Sequence, residues 1–260
     1  VAEAVKPRTK AISVVQFLGI PCAMPEIMTI ANQHGLKVIE DCALALGSRY
    51  EGKHVGLFGD VGCFSFYPVK HITSGEGGMF VTRSQEVVAP VAKLRAFGVD
   101  RSHKERTIPG IYDVPTLGLN YRMSEIQAAL GRTQLGRIGE NLQRRESNFK
   151  ALKNALSDIP DVSILDASDP NSISSHYCLS IVMEGQLKGQ RNQLVAHLNT
   201  AGIGTSVYYP HPVPRMYYYR KKYGYDDTRY VQAANISDNS LDLPVAPHVC
   251  EQDIEYLVEH

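Results

Sequence analysis

The sequence predicts an α/β protein: a larger part built on a mostly parallel sheet with flanking helices, followed by a small C-terminal α+β domain. Over residues 11–98, short apolar runs rich in β-branched residues alternate with segments of helical spacing. Strands that alternate with helices in this way pair in parallel, because each helix provides a crossover. After a turn-rich connector at 157–175 the composition changes, and a second, shorter alternation begins.

The first part opens with a strand and a helix. The run "AISVVQF" at 11–17 has the composition of a buried strand. In "MPEIMTIANQHG" at 24–35 the apolar residues have helical spacing, and Gly35 stands where a helix would end. Residues 84–98 are also expected to be helical, with Pro90 disturbing the first turns. The other strand candidates are 36–41, 61–66 and 79–83.

The second half begins with a helix start. Ser124 and Gln127 have the spacing of a capping box, in which each side chain binds the backbone N–H of the other residue. An apolar stripe follows across two helical segments: Ile126, Leu130, Leu135, Ile138, Leu142, Phe149 and Leu152. Beyond the connector, the expected elements are a strand at 176–184, a helix at 191–202, a strand at 204–209 and a closing helix at 250–260.

The composition argues against several classes of function. Lysine plus arginine total 27, and aspartate plus glutamate also total 27, so no basic field exists to hold nucleic acid or an anionic membrane. The five cysteines form no CxxC pair, which fits free thiols in a reducing compartment. No apolar run has the length of a membrane span, and nothing at the start resembles a signal peptide. We therefore expect a cytoplasmic protein, and we assign no metal ligands.

Three residues stand out near strand ends. Asp41 ends an apolar strand, Ser65 lies near the end of another, and Lys70 follows before the glycine-rich "TSGEGG". Each has an ordinary explanation when taken alone, because acids cap turns, most lysines are solvated and glycines form hairpins. "GEGG" also lacks the terminal Gly-Lys-Ser/Thr of a P-loop.

Together, the three residues fit one chemistry. In parallel α/β sheets, ligands bind at the carboxyl ends of strands. A lysine amine in a poorly solvated pocket has a lowered pKa and can form a Schiff base with an aldehyde. Pyridoxal 5'-phosphate needs such a lysine, a carboxylate facing its ring nitrogen and donors for its phosphate. Lys70, Asp41 and Ser65 could supply these groups.

The segments around these residues resemble the DegT/StrS group of sugar aminotransferases, which are fold-type I, aspartate-aminotransferase-like enzymes. The resemblance extends over "VIEDCALALGSRYEGKHVGLFGDVGCFSFYPVKHITSGEGGMFVT", "LGLNYRMSEIQAALG", "AGIGTSVYYPHPVPRM" and "ISDNSLDLPVAPHV", and so over essentially the whole chain. It implies a partial cofactor-binding large domain at 1–121. The linking helices and the small C-terminal domain would then occupy 122–260.

The resemblance also implies residue roles. Asp41 matches the aspartate that pairs with the pyridinium nitrogen, Ser65 a phosphate ligand and Lys70 the lysine that binds the cofactor covalently and moves protons. Asn120, in "GLNYR", matches an asparagine that reaches the cofactor phosphate of the partner in a homodimer. In "YYPHP", Tyr209 and His211 are the expected substrate contacts, while most of the aromatic residues at 207–227 are expected to form a rigid packing loop.

The chain departs from the family pattern at three places. Leu44 stands beside the cofactor ring where glutamine or histidine is usual, and leucine can pack there but cannot hydrogen-bond the ring hydroxyl. Gln16 stands where histidine is common. The family's N-terminal portion, with a phosphate loop and a stacking aromatic, is expected to be missing, and residues 1–260 alone are expected to bind the cofactor poorly.

The resemblance implies an aminotransferase that moves an amino group, from glutamate, to a keto group of a nucleotide-linked sugar for polysaccharide or glycoside biosynthesis. One alternative is a pyridoxal-phosphate-dependent sugar dehydratase or lyase of the same family. A branch of dehydratases has histidine in place of the lysine, and Lys70 followed by His71 argues against that branch. The other alternative is a non-catalytic fragment or degenerate paralogue that keeps only the dimer interface.

Overall fold

The computed structural model describes residues 1–100, 105 and 107–260. The chain forms two compact units, the first comprising Val1–Ile138 with Asn171–Ile173 and the second comprising Gly139–Pro170 with Ser174–His260. The family domain boundary expected after residue 121 stays a prediction. Within the described residues, no helix combines the length and the apolar character that crossing a membrane requires.

The strands and helices have the following bounds. The strands are Ala11–Val15 (β1), Lys37–Asp41 (β2), Arg49–Tyr50 (β3), Lys53–His54 (β4), Val61–Ser65 (β5), Gly78–Thr82 (β6), Val162–Leu165 (β7), Ser172–Ile173 (β8), Leu179–Met183 (β9) and Ser240–Leu243 (β10). The helices are Met24–Gln33 (α1), Gln85–Leu94 (α2), Glu125–Leu135 (α3), Ile138–Leu156 (α4), Arg191–Thr200 (α5), Tyr217–Tyr223 (α6), Val231–Asn239 (α7) and Glu251–Glu259 (α8).

The first unit is built on a four-stranded sheet in the order β1-β2-β5-β6. β1, β2 and β5 are parallel, and β6 runs antiparallel to β5. The predicted parallel sheet is thus confirmed for three strands, whereas the last strand forms the second arm of a hairpin. A smaller sheet in the order β4-β3-β8 completes the strands of this unit.

Helix α1 covers one face of the main sheet. Its apolar residues Met24, Ile27 and Ala31 are buried against Val14 of β1 and Val38 of β2. The helical spacing of these residues places them on one side of the helix, so a single face can pack on the strands. The predicted helix and its end are confirmed, since Gly35 follows α1 with a φ of +63°.

The expectation of a buried first strand is wrong in part. β1 ends at Val15 and is an edge strand of its sheet among the described residues, so only one of its two edges is paired. Val14 is buried by α1, whereas Val15 on the opposite face is 50% exposed. A β-branched apolar run identifies a strand but not its position in the sheet, because strands buried on one or two faces share that composition.

Helices α2 and α3 form where the sequence predicts them. The capping box at the start of α3 is present: the Gln127 N–H donates to Ser124 Oγ at 3.3 Å, and the Ser124 N–H donates to Gln127 Oε1 at 2.9 Å. Pro90 lies inside α2 without ending it.

The second unit packs helices on an antiparallel sheet in the order β10-β9-β7. β9 is the central strand and is buried along its whole length. The core contains Phe149 and Leu152 of α4, Leu198 of α5 and Ile254 of α8, packed with residues of β9 and β10. The apolar stripe predicted across two helices is therefore split: its C-terminal members are buried in this core, while Ile126 and Leu130 of α3 are exposed.

Three expectations for the C-terminal half are corrected. The connector at 157–175 contains β7 and β8, which are short strands between turns. In the segment predicted as a strand at 204–209, only Ser206 makes a β-bridge, to Asp242 of β10. The expected aromatic loop includes the helix α6. The strand at 176–184, the helix at 191–202 and the closing helix are confirmed with shorter bounds.

Candidate active site

The carboxyl ends of β2 and β5 bring together side chains that the sequence singles out. Asp41 is the last residue of β2 and pairs in register with Cys63 of β5. Because side chains alternate along a strand, Ser65 lies on the same face of the sheet as Cys63. Asp41 and Ser65 therefore share one face at one edge of the sheet, and both are half-buried.

Lys70 lies in the connection between β5 and β6. Its N–H donates to the Tyr67 carbonyl at 2.9 Å and closes a turn. Burial lowers the pKa of the Lys70 amine below its ordinary value, and the Asp41 carboxylate opposes this by raising the same pKa. The two groups are thus close enough to interact electrostatically. At a given pH, a larger fraction of Lys70 is neutral than of a lysine with the ordinary pKa, and the neutral amine is the form that attacks a carbonyl carbon.

The connection that carries Lys70 is anchored at its base. The Phe66 N–H donates to the Gly77 carbonyl at 2.9 Å, and the Phe66 carbonyl accepts from the Ser74 N–H at 3.0 Å. Gln134 of α3 holds the other side: its Nε2 donates to the Thr73 carbonyl at 2.7 Å, and its Oε1 accepts from the Thr73 N–H at 3.2 Å. The amide of Gln134 therefore binds both backbone groups of one residue in this connection.

Gly77, in the glycine-rich stretch, adopts the backbone conformation in which its carbonyl accepts from the Phe66 N–H. Gly77 has a φ of +152°, a backbone conformation that L side chains rarely adopt. A Cβ at this position would lie 2.4 Å from Ser74 Oγ and 2.9 Å from Met123 Cε. The ordinary explanation of these glycines as part of a hairpin connection is therefore supported, because β5 and β6 form an antiparallel pair.

Leu44 lies in the turn that follows β2 and is buried. The turn is held by the Ala43 N–H, which donates to Asp41 Oδ1 at 3.0 Å, and by the Ala45 N–H, which donates to the Cys42 carbonyl at 3.0 Å. The first of these bonds occupies one carboxylate oxygen of Asp41 and orients the side chain. A role for Leu44 beside a cofactor ring stays a prediction.

Asn120 lies in the exposed segment that precedes α3, and it makes an antiparallel bridge to Ala96, which follows α2. The segment is fixed by backbone hydrogen bonds, including the Phe97 N–H to the Leu119 carbonyl at 2.9 Å. Asn120 is exposed, and its Oδ1 accepts from Arg122 Nε at 3.2 Å. The structure thus places the asparagine on the surface of the first unit, and its role toward a partner subunit stays a prediction.

Tyr209 and His211 belong to the second unit. Tyr209 is 48% exposed, and its ring packs edge-to-face with that of Tyr208 at a centroid distance of 5.3 Å. His211 is also exposed, and its Nδ1 lies 2.9 Å from Arg215 Nη2. Since an arginine can only donate, Nδ1 is the acceptor and the neutral ring carries its proton on Nε2. Their role as substrate contacts stays a prediction.

Sequence reasoning missed a buried polar cluster behind Asp41. The Glu40 carboxylate is fully buried and accepts from the N–H groups of Gly56 at 2.7 Å, Phe58 at 2.7 Å and Gly59 at 2.8 Å. Gln16, also fully buried, donates its Nε2 to Glu40 at 3.1 Å, and its own N–H donates to the Asp41 carbonyl at 2.9 Å. A glutamate on the otherwise apolar face of β2 was the available sequence signal for this cluster.

These features define a class of α/β protein in which an aspartate and a serine share one sheet face at the carboxyl ends of the strands, and a lysine of lowered pKa in the next connection interacts electrostatically with that aspartate. That arrangement suits the chemistry of amines and carbonyl compounds. The chain belongs to the DegT/DnrJ/EryC1/StrS aminotransferase family, which matches residues 1–260. The expected family membership is therefore confirmed.

Curated relatives of similar sequence have related names. The spore coat polysaccharide biosynthesis protein SpsC of Bacillus subtilis is 33% identical over 260 residues, which cover 98% of this chain and 67% of SpsC. The GDP-perosamine synthase of Caulobacter vibrioides is 33% identical over 255 residues, covering 98% of this chain and 66% of the relative. A dTDP-4-dehydro-2,6-dideoxy-D-glucose 3-dehydratase of Saccharopolyspora spinosa is 32% identical, covering 98% of the chain and 59% of the relative.

Solved structures of sugar aminotransferases have the same fold. PseC of Helicobacter pylori, an aminotransferase of pseudaminic acid biosynthesis, aligns with a TM-score of 0.91 at 25% identity, covering 99% of this chain and 67% of PseC. The putative sugar aminotransferase Spr1654 of Streptococcus pneumoniae in its PLP form aligns with a TM-score of 0.90 at 26% identity. The alignment covers 99% of this chain and 69% of Spr1654. The expected fold class is confirmed. The chain spans about two thirds of the length of these proteins.

Proposed function

We propose that this chain carries the catalytic lysine of a pyridoxal-phosphate-dependent aminotransferase, which transfers an amino group to a keto group of a nucleotide-linked sugar. The observation that carries the proposal is that Asp41 and Ser65 share one face of the sheet, while the Lys70 amine in the next connection interacts electrostatically with Asp41. The family supports the aminotransferase class, and a solved family structure is described in a PLP form.

The donor set fits this cofactor. Lys70 offers an amine whose pKa burial lowers, Asp41 offers a half-buried carboxylate that interacts with that amine, and Ser65 offers a hydroxyl on the same sheet face. Lys70 would hold the cofactor covalently, Asp41 would bind its ring nitrogen and Ser65 its phosphate. When bound, pyridoxal phosphate supplies an electron sink that stabilises negative charge on a substrate carbon.

The residues of the chain would act mainly on protons. The Asp41 carboxylate favours a proton on the group it faces, because opposite charges attract strongly in a half-buried setting. The neutral Lys70 amine can accept a proton from a carbon atom and return it to another, since its lowered pKa reduces the cost of losing that proton again. The turn at Tyr67 and the anchoring by Gln134 restrict where this amine can be.

The proposed substrates come from the names of the relatives. A GDP-perosamine synthase and a UDP-N-acetyl-3-dehydro-alpha-D-glucosamine 3-aminotransferase are 33% identical to this chain. These names support a nucleotide-linked ketosugar as the amino acceptor, with Tyr209 and His211 as its contacts. We assign glutamate as the amino donor. Such a reaction serves polysaccharide biosynthesis in the cytoplasm.

The dehydratase alternative receives less support. One relative is named a 3-dehydratase, but the expected dehydratase branch has a histidine at the position of Lys70. This chain has Lys70 at that position, and the electrostatic interaction of its amine with Asp41 supports the aminotransferase proposal.

The active unit is proposed to be a homodimer with shared sites. The exposed surface of the first unit carries large apolar side chains, including Leu117 at 87% and Ile126 at 83% exposure, and exposed apolar patches favour association. Asn120 is exposed in the same region of the chain and would reach the cofactor phosphate of the partner.

Covalent trapping tests the central assignment. The protein is incubated with pyridoxal phosphate and reduced with borohydride, and the modified peptide is identified by mass spectrometry. We expect the label on the peptide that contains Lys70 and its loss in Lys70→Ala, with the exposed Lys93→Ala of α2 as the matched control. A label that persists on another lysine would contradict the assignment.

A further inference from the structure

The second unit contains a cleft walled by tyrosine rings, defined here as the tyrosine cleft. Its lining includes Tyr219 and Tyr223 of α6, Tyr225, Arg229 and Tyr230, and its volume is about 270 Å³. The rings of Tyr219 and Tyr223 are nearly parallel, with centroids 6.5 Å apart and planes inclined by 16°. The cleft therefore offers flat aromatic faces on which a planar ring could stack.

A cation accompanies these rings. The Arg229 guanidinium carbon lies 5.1 Å from the centroid of the Tyr230 ring. Asp226 also lines the cleft and interacts electrostatically with Arg229. Its Oδ1 accepts from the Thr228 N–H at 2.9 Å and from Thr228 Oγ1 at 2.6 Å. Within the described part of the chain, no carboxylate forms an ion pair with Arg229.

The local charge is positive although the chain is neutral. Residues 217–230 contain four basic residues, Arg220, Lys221, Lys222 and Arg229, against two acids, Asp226 and Asp227. The Lys222 ammonium lies 5.1 Å from the centroid of Tyr223, so it sits beside a wall of the cleft. The segment therefore combines aromatic faces with positive charge.

The cleft is also linked to a predicted substrate contact. Val213 and Pro214, which also line the cleft, follow His211 closely in the chain. Arg215 contacts His211 and also interacts electrostatically with Tyr225 of the cleft. A ligand in the cleft would thus lie in the same part of the second unit as His211.

We propose that the tyrosine cleft binds the base and phosphate part of a nucleoside diphosphate. A nucleobase stacks on aromatic rings, and its phosphates are attracted by arginine and lysine. A neutral sugar could stack on tyrosine but would not need the cations, whereas a phosphate alone would not need several rings. The volume of about 270 Å³ suits the nucleobase alone, so the phosphates would extend toward the basic side chains at the cleft, Arg229 and Lys222. The inference rests on the proposed nucleotide-linked substrate and assigns its nucleotide end to named residues.

Nucleotide titration tests this assignment without any turnover. The chain has no tryptophan and 14 tyrosines, so stacking of a base can be followed by quenching of tyrosine fluorescence and checked by calorimetry. UDP, GDP and dTDP are compared with inorganic pyrophosphate and glucose 1-phosphate, which lack a base. At least one nucleotide is expected to bind about tenfold or more tightly than pyrophosphate.

Variants of two equally exposed tyrosines locate the site. Tyr217 and Tyr223 both belong to α6 and are both 71% exposed, but only Tyr223 lines the cleft. Tyr223→Leu is expected to weaken nucleotide binding by about five- to 150-fold through loss of a stacking partner, and Tyr223→Phe to keep it. Arg229→Gln is expected to weaken binding and reduce its salt dependence. Tyr217→Leu is expected to bind as the parent protein does.

Several results would overturn the assignment. These are the absence of nucleotide binding, pyrophosphate binding as tight as that of the nucleotides, and unchanged affinity in Tyr223→Leu with circular dichroism showing a folded protein. None of these results would affect the trapping of pyridoxal phosphate on Lys70. Failure of the tyrosine cleft is therefore distinguishable from failure of the proposed cofactor chemistry.

Discussion

Two lysines of the first unit show how local surroundings change the chemistry of one residue type. Lys37 donates to Asp60 Oδ1 at 2.9 Å, and this hydrogen bond raises the pKa of its amine. Burial has the opposite effect on Lys70, whose pKa is lowered. The neighbouring Asp60 carboxylate stabilises the charged form of Lys37, whereas burial favours the neutral form of Lys70.

Competitive acetylation can measure this difference. Only the neutral amine reacts with acetic anhydride, so labelling rises as pH passes through the pKa. We expect the labelling midpoint of Lys70, followed by mass spectrometry, to lie at lower pH than that of Lys37. Asp41→Asn removes a charge that raises the Lys70 pKa, so the midpoint of Lys70 should fall further while that of Lys37 is unchanged. A Lys70 midpoint at or above that of Lys37 would contradict the assigned surroundings.

The residue scale also shows which parts of the site sequence reasoning can find. Chemistry and position near strand ends predict Asp41, Ser65 and Lys70 as site residues. The structure places Asp41 and Ser65 on one sheet face and the Lys70 amine within electrostatic range of Asp41. Their individual roles stay predictions. The sequence marks Gln16 only as a departure from the family pattern and does not predict the hydrogen bonds of Glu40, which join segments 16 to 24 residues apart. The glutamate on the apolar face of β2 indicates a buried acid, but no local pattern identifies the groups that bind it.

At the scale of elements, the sequence predicted helices whose apolar residues have a strong helical period, and it failed to predict short strands. Helices α1 and α3 have regular apolar spacing or a capping box, and both formed as expected. The strands β3 and β4 have two residues each and carry no measurable alternation. Strand β7 was hidden in a turn-rich connector, since its pairing with β9 depends on residues nearly twenty positions away.

Glu40 links three parts of the first unit, so replacing it should lower the free energy of unfolding. The carboxylate joins β2 to the loop before β5 and to Gln16 after β1. Glu40→Leu leaves three backbone N–H groups without this acceptor, so we expect it to lower the free energy of unfolding by about 3–5 kcal/mol. Glu40→Gln retains one acceptor oxygen and should cost about 1–3 kcal/mol. Urea unfolding followed by circular dichroism measures both.

The exposed Glu51→Gln provides the matched control for this experiment. It removes the same charge from the same unit and should change the unfolding free energy by less than about 0.5 kcal/mol. If Glu40→Leu were no more destabilising than this control, the bonds to the loop would not stabilise the fold.

At the scale of the whole molecule, the exposed apolar surface of the first unit becomes important. Ile126 and Leu130 of α3 are 83% and 45% exposed, although their stripe continues into a buried core on α4. Periodicity identified the stripe but could not identify what covers each part, because a core and a subunit interface have similar apolar composition. The proposed homodimer would cover this exposed part.

Shared sites make a specific prediction about mixed subunits. In a heterodimer of Asn120→Ala with Lys70→Ala, one site would contain both lesions, while the other would combine an intact Lys70 with an intact Asn120 from the partner. Random exchange between equal amounts of the two variants should then restore about one quarter of the parental activity, although each variant alone is nearly inactive. If Asn120 served its own subunit, every site in the heterodimer would carry a lesion. Absence of recovery, with heterodimers detected by native mass spectrometry, would therefore exclude site sharing through Asn120.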